Sequence, residues 1–460
     1  MSSRALPRWC NASGTGTLAF VTTTERSPRI QLVPDMPICQ QDLPLDWYQE
    51  EFRPYAEEYL ALPDRTPATV LPWMDRRIHP ALDALGPRVM LLAHYYMGGE
   101  IVKLVERYGG HIADSYQLAL QAVRNPDKTI FVESAVHFMA EAIAILASGD
   151  QQVWITNPKS GCTMEMMAKD FMIEPAFDDL VATYGDDILV VAYMNTSGRV
   201  KALAGRTGGA VCTSSNAKRV VGWALEQGRK VLFVPDRHLG EVVAGWTGVK
   251  SDELFFWEGG TAGASMTGGG LSPADRTRLD RAKMVLWGSF CGVHTVFTPA
   301  HVEWWRARGY RVLVHPECPK VVVDVADGAG STSYLWDAIE QAPRGSKLAI
   351  ATEGHFVRNA REQAALRGVE VVNVADVPDP AFRSMGCGCA TMSRNDPPHL
   401  VAMLDLLAKG TPPDLNRVLA GDSVSETTGA RERLDTPERA AVVRDARRSL
   451  ERMIEITEKR

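Results

Sequence analysis

A chain of 460 residues, 45% hydrophobic and 23% charged, is long enough to bury roughly two to four domain cores and too apolar to stay disordered. Fifty basic side chains against 56 acidic ones give a net charge of −6 without a polybasic run, which argues against nucleic acid and lipid surfaces and for small-molecule partners. Eight cysteines without a repeated spacing exclude a disulfide scaffold; with no secretory h-region and no run near the ~18 apolar residues of a membrane span, a soluble cytoplasmic protein is expected.

Residues 1 to about 45 are rich in Ser, Thr, Pro and Arg without periodicity and are expected to be loosely ordered. "DWYQEEFRPYAEEYLAL" and "PWMDRRIHPALDAL" read as helices, so 1–85 is an N-terminal extension with lead-in helices. From residue 86, short apolar runs ("VMLLAHYY", "TIFVES", "VWITNP") alternate with helical stretches such as "HFMAEAIAILA", the pattern of βαβ units on a buried parallel sheet.

One unit occurs three times, which predicts three similar α/β domains over 86–185, 186–300 and 301–412. In the first, a strand ends in His94, Tyr95 and Tyr96, a helix start brings Asp114 and Ser115, and Cys162 closes the copy. In the second, the strand ends in Tyr193 and Asn195, "AVCTSSNA" brings Ser214 and Ser215, and Cys291 closes it. In the third, the strand leads to His315 and Glu317, "GAGSTS" brings Ser331, Thr332 and Ser333, and "GCGC" closes it. Twenty-one residues separate His94 from Ser115 and Tyr193 from Ser214, and 16 separate His315 from Ser331. Polar groups where parallel strands end and hydroxyls where helices begin are the ligand-binding edge of open α/β sheets, and three such edges facing each other make one central site.

Residues 255–284 form a Gly-rich insertion in the second domain; its glycines read as a loop, without the spacing of a phosphate-binding P-loop. Residues 413–460 are a linker and an amphipathic helix starting at Thr436, with Val442, Val443, Ala446, Leu450, Met453 and Ile454 on one stripe. Three cysteines brought together fit an iron–sulfur cluster with one iron open better than a closed four-ligand zinc site, though isolated cysteines are usually small buried hydrophobes.

The motifs "AHYY", "ADSYQLAL", "VHFMAE", "SGCTMEMM", "YMNTS", "CTSSNA", "VPDRHLG", "LWGSFCGVH", "VHPECP", "GSTS" and "ATEGHF" stand in the order and approximate spacing of the quinolinate synthase family, the A protein of bacterial NAD biosynthesis, which the chain resembles from about 86 to 410. The resemblance implies three α/β domains around a pseudo-threefold axis and a [4Fe–4S] cluster with one open iron site, held by Cys162, Cys291 and Cys389. Cys389 is taken for its C-x-x-M context, and Cys387 is the alternative. It further implies condensation of iminoaspartate with dihydroxyacetone phosphate to quinolinate, with release of phosphate and two waters, and the L-aspartate oxidase that supplies iminoaspartate as a partner. Glu317, Tyr96 and His94 become the catalytic candidates. Ser115, Tyr193, Asn195, Ser214, His294, His315, Ser331 and Thr332 join them as substrate-binding candidates. The alternatives are a related [4Fe–4S]-dependent dehydratase and a non-catalytic cluster-binding regulatory protein of the same fold. Cys10, Cys39, Cys212 and Cys318 have no place in the ligand pattern, and His137 and His238 read as structural.

Overall fold

The computed structural model describes residues 43–97, 100–258, 271–379, 382, 388–425 and 430–459. The Ser/Thr-rich start (1–42), the glycines of 259–270 and Cys387 lie outside the described residues, and with them the expectations placed there. The lead-in helices differ from expectation at their starts. Residues 45–47 form a 3-10 turn and the helix begins only at Arg53, because Pro54 lacks an amide proton and its ring suits the first turn alone; the next helix begins at Pro67 for the same reason.

Three parallel sheets follow. The first contains β1 (Val89–His94), β2 (His111–Ala113), β3 (Ile130–Ser134) and β4 (Gln152–Ile155) in the order 2-1-3-4. The second contains β5 (Ile188–Tyr193), β6 (Ala210–Cys212), β7 (Lys230–Val234), β8 (Leu254–Trp257) and β9 (Met284–Trp287) in the order 6-5-7-9-8. The third contains β10 (Arg311–Val314), β11 (Gly328–Ala329), β12 (Lys347–Ala351) and β13 (Glu370–Asn373) in the order 11-10-12-13. β9 takes the place that β4 and β13 hold in the other sheets. The insertion opens on an aromatic stretch that forms the extra edge strand β8, paired in parallel with β9. β5 is buried from end to end, as a strand covered by helices on both faces must be.

The first two sheets share a device for turning from helix to edge strand. Gly109 and Gly208 take φ values of 78° and 76°, which end the preceding helix in the left-handed region. The glycine after each is there for space. A Cβ on Gly209 would fall 1.8 Å from the Val190 carbonyl oxygen, and one on Gly110 would fall 2.5 Å from Val105 Cγ1. Gly209→Ala is therefore expected to force β5 and β6 apart and to cost about 1–3 kcal/mol, read as a lower denaturant midpoint at unchanged m-value.

The last helix, Thr436–Glu458, starts at an Asp435/Glu438 capping box. Its apolar stripe is core: Ala446, Leu450 and Met453 are fully buried, Val442, Val443 and Ile454 are half-buried, and Ile456 is buried beside them. The helix lies along Gly198–Arg206 and the edge strand β6. Between the first and third sheets, the buried Lys103 ammonium joins Glu100 at 2.7 Å to Glu362 at 2.5 Å. The strand ends of the three sheets open onto one cavity, and no helix of the described residues is long and apolar enough to cross a membrane.

Candidate active site

β1 ends in His94, β5 ends in Tyr193, and His315 directly follows β10. The two histidines are held by the same local turn: Nδ1 of His94 accepts from the Tyr96 amide at 3.1 Å, and Nδ1 of His315 accepts from the Glu317 amide at 3.4 Å. With Nδ1 accepting, a neutral ring carries its proton on Nε2. Burial lowers both imidazoles to about 3 against the opposing pull of the Glu317 charge, so both are neutral donors at pH 7. Two residues beyond His94, Tyr193 and His315 come Tyr96, Asn195 and Glu317, and all six side chains line the cavity. Its walls enclose about 680 Å³, mouth included, of which about 60 Å³ admits the centre of a water molecule.

Glu317 is the hub. Its Oε1 accepts from the Tyr193 hydroxyl at 2.5 Å, and its Oε2 lies 2.8 Å from His294 Nδ1. Burial alone would raise this carboxyl; the neighbouring His294 and His315 rings and the Tyr193 hydroxyl outweigh it and hold the group below the usual carboxylate range. From His294 a line of polar atoms runs on: Nε2 to Thr352 Oγ1 at 3.1 Å, and Thr352 Oγ1 to the Tyr96 hydroxyl at 2.7 Å, which accepts from Thr332 Oγ1 at 3.0 Å. If His294 donates from Nδ1 to Glu317, every link is satisfied in one sense: Thr332 to Tyr96, Tyr96 to Thr352, Thr352 to His294. Burial also pushes the Tyr96 and Tyr193 phenols well up, so both stay protonated.

Cys162, Cys291 and Cys389 line this same cavity. Cys162 stands at the start of the short helix Thr163–Met166, with its Sγ 4.0 Å from Asn195 Nδ2. Cys291 Sγ lies 3.2 Å from His294 Nδ1. Cys389 Sγ lies 3.2 Å from Thr391 Oγ1, and its amide donates to Glu353 Oε1 at 3.0 Å. Gly388 packs so closely on that carboxylate that a Cβ would sit 1.8 Å from Oε1. Burial pushes all three thiols up, and a charge on one raises its neighbours, with Cys389 acting on Cys162 and both acting on Cys291. Buried thiols that oppose each other's ionisation become stable thiolates once a cation sits among them, so this donor set fits a metal centre. Donor atoms of Cys291, His294 and Glu317 also lie within 4.8 Å of one another and could hold a metal ion.

The hydroxyl candidates divide. Ser115 and Ser214 line the cavity at helix starts, Ser115 behind the Asp114 N-cap and Ser214 in the turn before Ala217–Glu226. Ser331 does not line it; its hydroxyl caps the helix Thr332–Glu340 by accepting from the Tyr334 amide at 3.3 Å. Thr332 is in the wall, with its hydroxyl on Tyr96, and Ser333 donates to Asp114 at 2.6 Å across the first and third sheets. His137 and His238 are absent from the lining, as are Cys212 and Cys318. Sequence reasoning passed over Glu353, Thr352 and Thr213. Glu353 and Thr352 follow β12 directly, so the rule that strand ends face the ligand, applied to "KLAIATE", points to both.

The sequence profile described as "Quinolinate synthetase A protein" matches residues 79–427. Proteins described as quinolinate synthase are similar over most of their length. That of Corynebacterium glutamicum is 37% identical over 355 residues, 76% of this chain and 84% of its own. That of Streptomyces coelicolor is 38% identical over 364 residues, covering 78% and 88%, and that of Acidobacterium capsulatum 36% over 358 residues, covering 77% and 88%. With this match spanning all three sheets and every residue of the cavity, the chain belongs to the quinolinate synthetase A family and is an enzyme of that type.

Proposed function

We propose that the chain is a quinolinate synthase of NAD biosynthesis. It condenses iminoaspartate with dihydroxyacetone phosphate to quinolinate, releasing phosphate and two waters, a balance that needs no oxidant. The observation that carries this reading is the convergence, in one cavity, of cysteines that follow three different sheets. Cys162, Cys291 and Cys389 would hold a [4Fe–4S] cluster with one iron site open. When bound, the cluster supplies a Lewis acid for the oxygen of a leaving hydroxyl.

The chain's own groups do the rest. His94 offers Nε2–H, and Tyr96 and Tyr193 offer protonated phenols, all suited to substrate carboxylates and carbonyl oxygens. Asn195 orients the intermediate between the second sheet and Cys162. Glu317, ionised and touching Tyr193 and His294, takes the proton in the ketose–aldose shift, and the His294–Thr352–Tyr96 line carries a proton to the opposite wall. No lysine or arginine is among the described lining residues. The phosphate dianion is therefore held by neutral donors, the hydroxyls of Ser115 and Ser214 with helix-start amides. A reducing cytoplasm keeps the thiols available, and the L-aspartate oxidase that makes the unstable imine is the expected partner.

A second reading rests on the Cys291–His294–Glu317 group, which suits a single metal ion. Anaerobic purification separates the two. Brown protein with about four irons per chain that turns over iminoaspartate and dihydroxyacetone phosphate supports the cluster enzyme; a colourless protein with one bound metal and no quinolinate formed supports the other.

A further inference from the structure

We propose that Thr457, in the final turn of the C-terminal helix, is a positioning residue for the phosphate-binding turn Thr213–Asn216. The proposal rests on the reading of Ser214 as a phosphate contact. The C-terminal helix lies beyond the stretch 79–427 that the family profile matches, so a segment outside that match would complete the site.

The turn is built around the side chain of Asn216, which is buried. Its Oδ1 accepts from the Thr213 amide at 2.7 Å, and its Nδ2 donates to Thr457 Oγ1 at 2.9 Å. The Thr457 hydroxyl in turn donates to the Met453 carbonyl at 2.6 Å, which leaves it an acceptor toward Asn216. This order fixes the amide: with Nδ2 on Thr457, only Oδ1 can face the Thr213 N–H. Thr213 and Ser214 are both in the cavity wall, and the Thr213 hydroxyl lies 2.7 Å from that of Ser215. The anchor itself is rigidly mounted. Ser449 donates to the Lys201 carbonyl at 2.8 Å, Arg452 donates to the Gly209 carbonyl at 2.7 Å, and Arg219, one turn beyond Asn216, reaches the Thr457 carbonyl. The helix is thus fastened to the segment before β6, and its last turn fixes the loop after β6.

Without the Thr457 hydroxyl, Asn216 Nδ2 loses its partner and the side chain is held only through Oδ1 on the Thr213 amide, which loosens the turn that presents Ser214. Thr457→Val keeps the side-chain shape and removes the hydroxyl, both its acceptor toward Asn216 and its bond to the Met453 carbonyl within the helix. In the holoenzyme it is expected to raise KM for dihydroxyacetone phosphate and the inhibition constant for inorganic phosphate together, by about fivefold, equivalent to about 1 kcal/mol. KM for iminoaspartate, kcat and the visible absorbance should stay at wild-type values, and Thr457→Ser should restore phosphate inhibition. The proposal is overturned if phosphate inhibition is unchanged in Thr457→Val, or if KM rises equally for both substrates, as a merely structural role would have it. Ser214→Ala, measured in parallel, separates the two layers. If it weakens phosphate inhibition and Thr457→Val does not, the positioning role alone fails; if it has no effect, the phosphate reading of the turn fails and the positioning role with it.

Discussion

Replacing Cys162, Cys291 or Cys389 singly by alanine is expected to abolish the visible absorbance of anaerobically purified protein, and turnover with it, while Cys212→Ala leaves both intact. Each of the three follows its own sheet, so none of the three can stand in for another. Removing one leaves two thiols in a cavity where Glu317, His294 and Glu353 already bond to Tyr193, Thr352 and the Cys389 amide. Cys212, by contrast, ends β6 fully buried and outside the cavity wall, where burial pushes its thiol up and alanine costs only a little apolar contact. The third position is the most informative. The Cys389 amide on Glu353 and the tight packing of Gly388 on the same carboxylate fix the backbone that carries Cys389. Retained absorbance in Cys389→Ala together with its loss in Cys387→Ala would move the ligand to the other thiol of "GCGC".

The fold was legible because parallel sheets write themselves into the chain locally. A strand covered on both faces is a continuous apolar run, and β5 is one. The Gly-Gly pairs before β2 and β6 repeat because the same close approach repeats. The candidate site was legible for a related reason: His94, Tyr193 and His315 stand at strand ends, and strand ends can be counted in sequence. What stayed hidden depends on partners far along the chain. Ser331 and Thr332 look alike as hydroxyls at a helix start, yet one caps its own helix and the other bonds Tyr96, 236 residues away. Lys201 sits in an unremarkable helix, but it is fully buried beside the Glu141 carboxylate, which accepts from the Gly198 and Gly421 amides at 2.6 and 2.7 Å. The edge strand β8 was not picked out because the glycines that follow it dominate the composition of the insertion. The helix expected from Asp46 was misread because charge and apolar periodicity outweighed Pro54, whose ring sets the start.

Glu317→Gln is expected to lower kcat by about 10²- to 10⁴-fold, the usual worth of a positioned general base, while leaving the visible absorbance at its wild-type level. Glutamine has the same shape, and its Oε1 can still accept from Tyr193, so the change falls on the other oxygen. There an amide NH2 replaces a carboxylate oxygen 2.8 Å from His294 Nδ1. Two donors cannot face each other at that distance, so a His294 ring that donates from Nδ1 must move that proton to Nε2 and accept at Nδ1. Nε2–H then donates to Thr352, Thr352 donates to Tyr96, and the whole line reverses its sense. One substitution therefore removes the proposed base and turns the proposed proton path around. Glu317→Asp tests the same arrangement from another side: it keeps the charge and the tautomer of His294 but withdraws the carboxylate by one methylene from Tyr193 and His294, so partial turnover is expected where Glu317→Gln has almost none. Wild-type rates in Glu317→Gln would remove the carboxylate from the mechanism, whereas loss of absorbance in that variant would assign Glu317 to holding the metal beside Cys291 and His294, as their spacing within 4.8 Å allows.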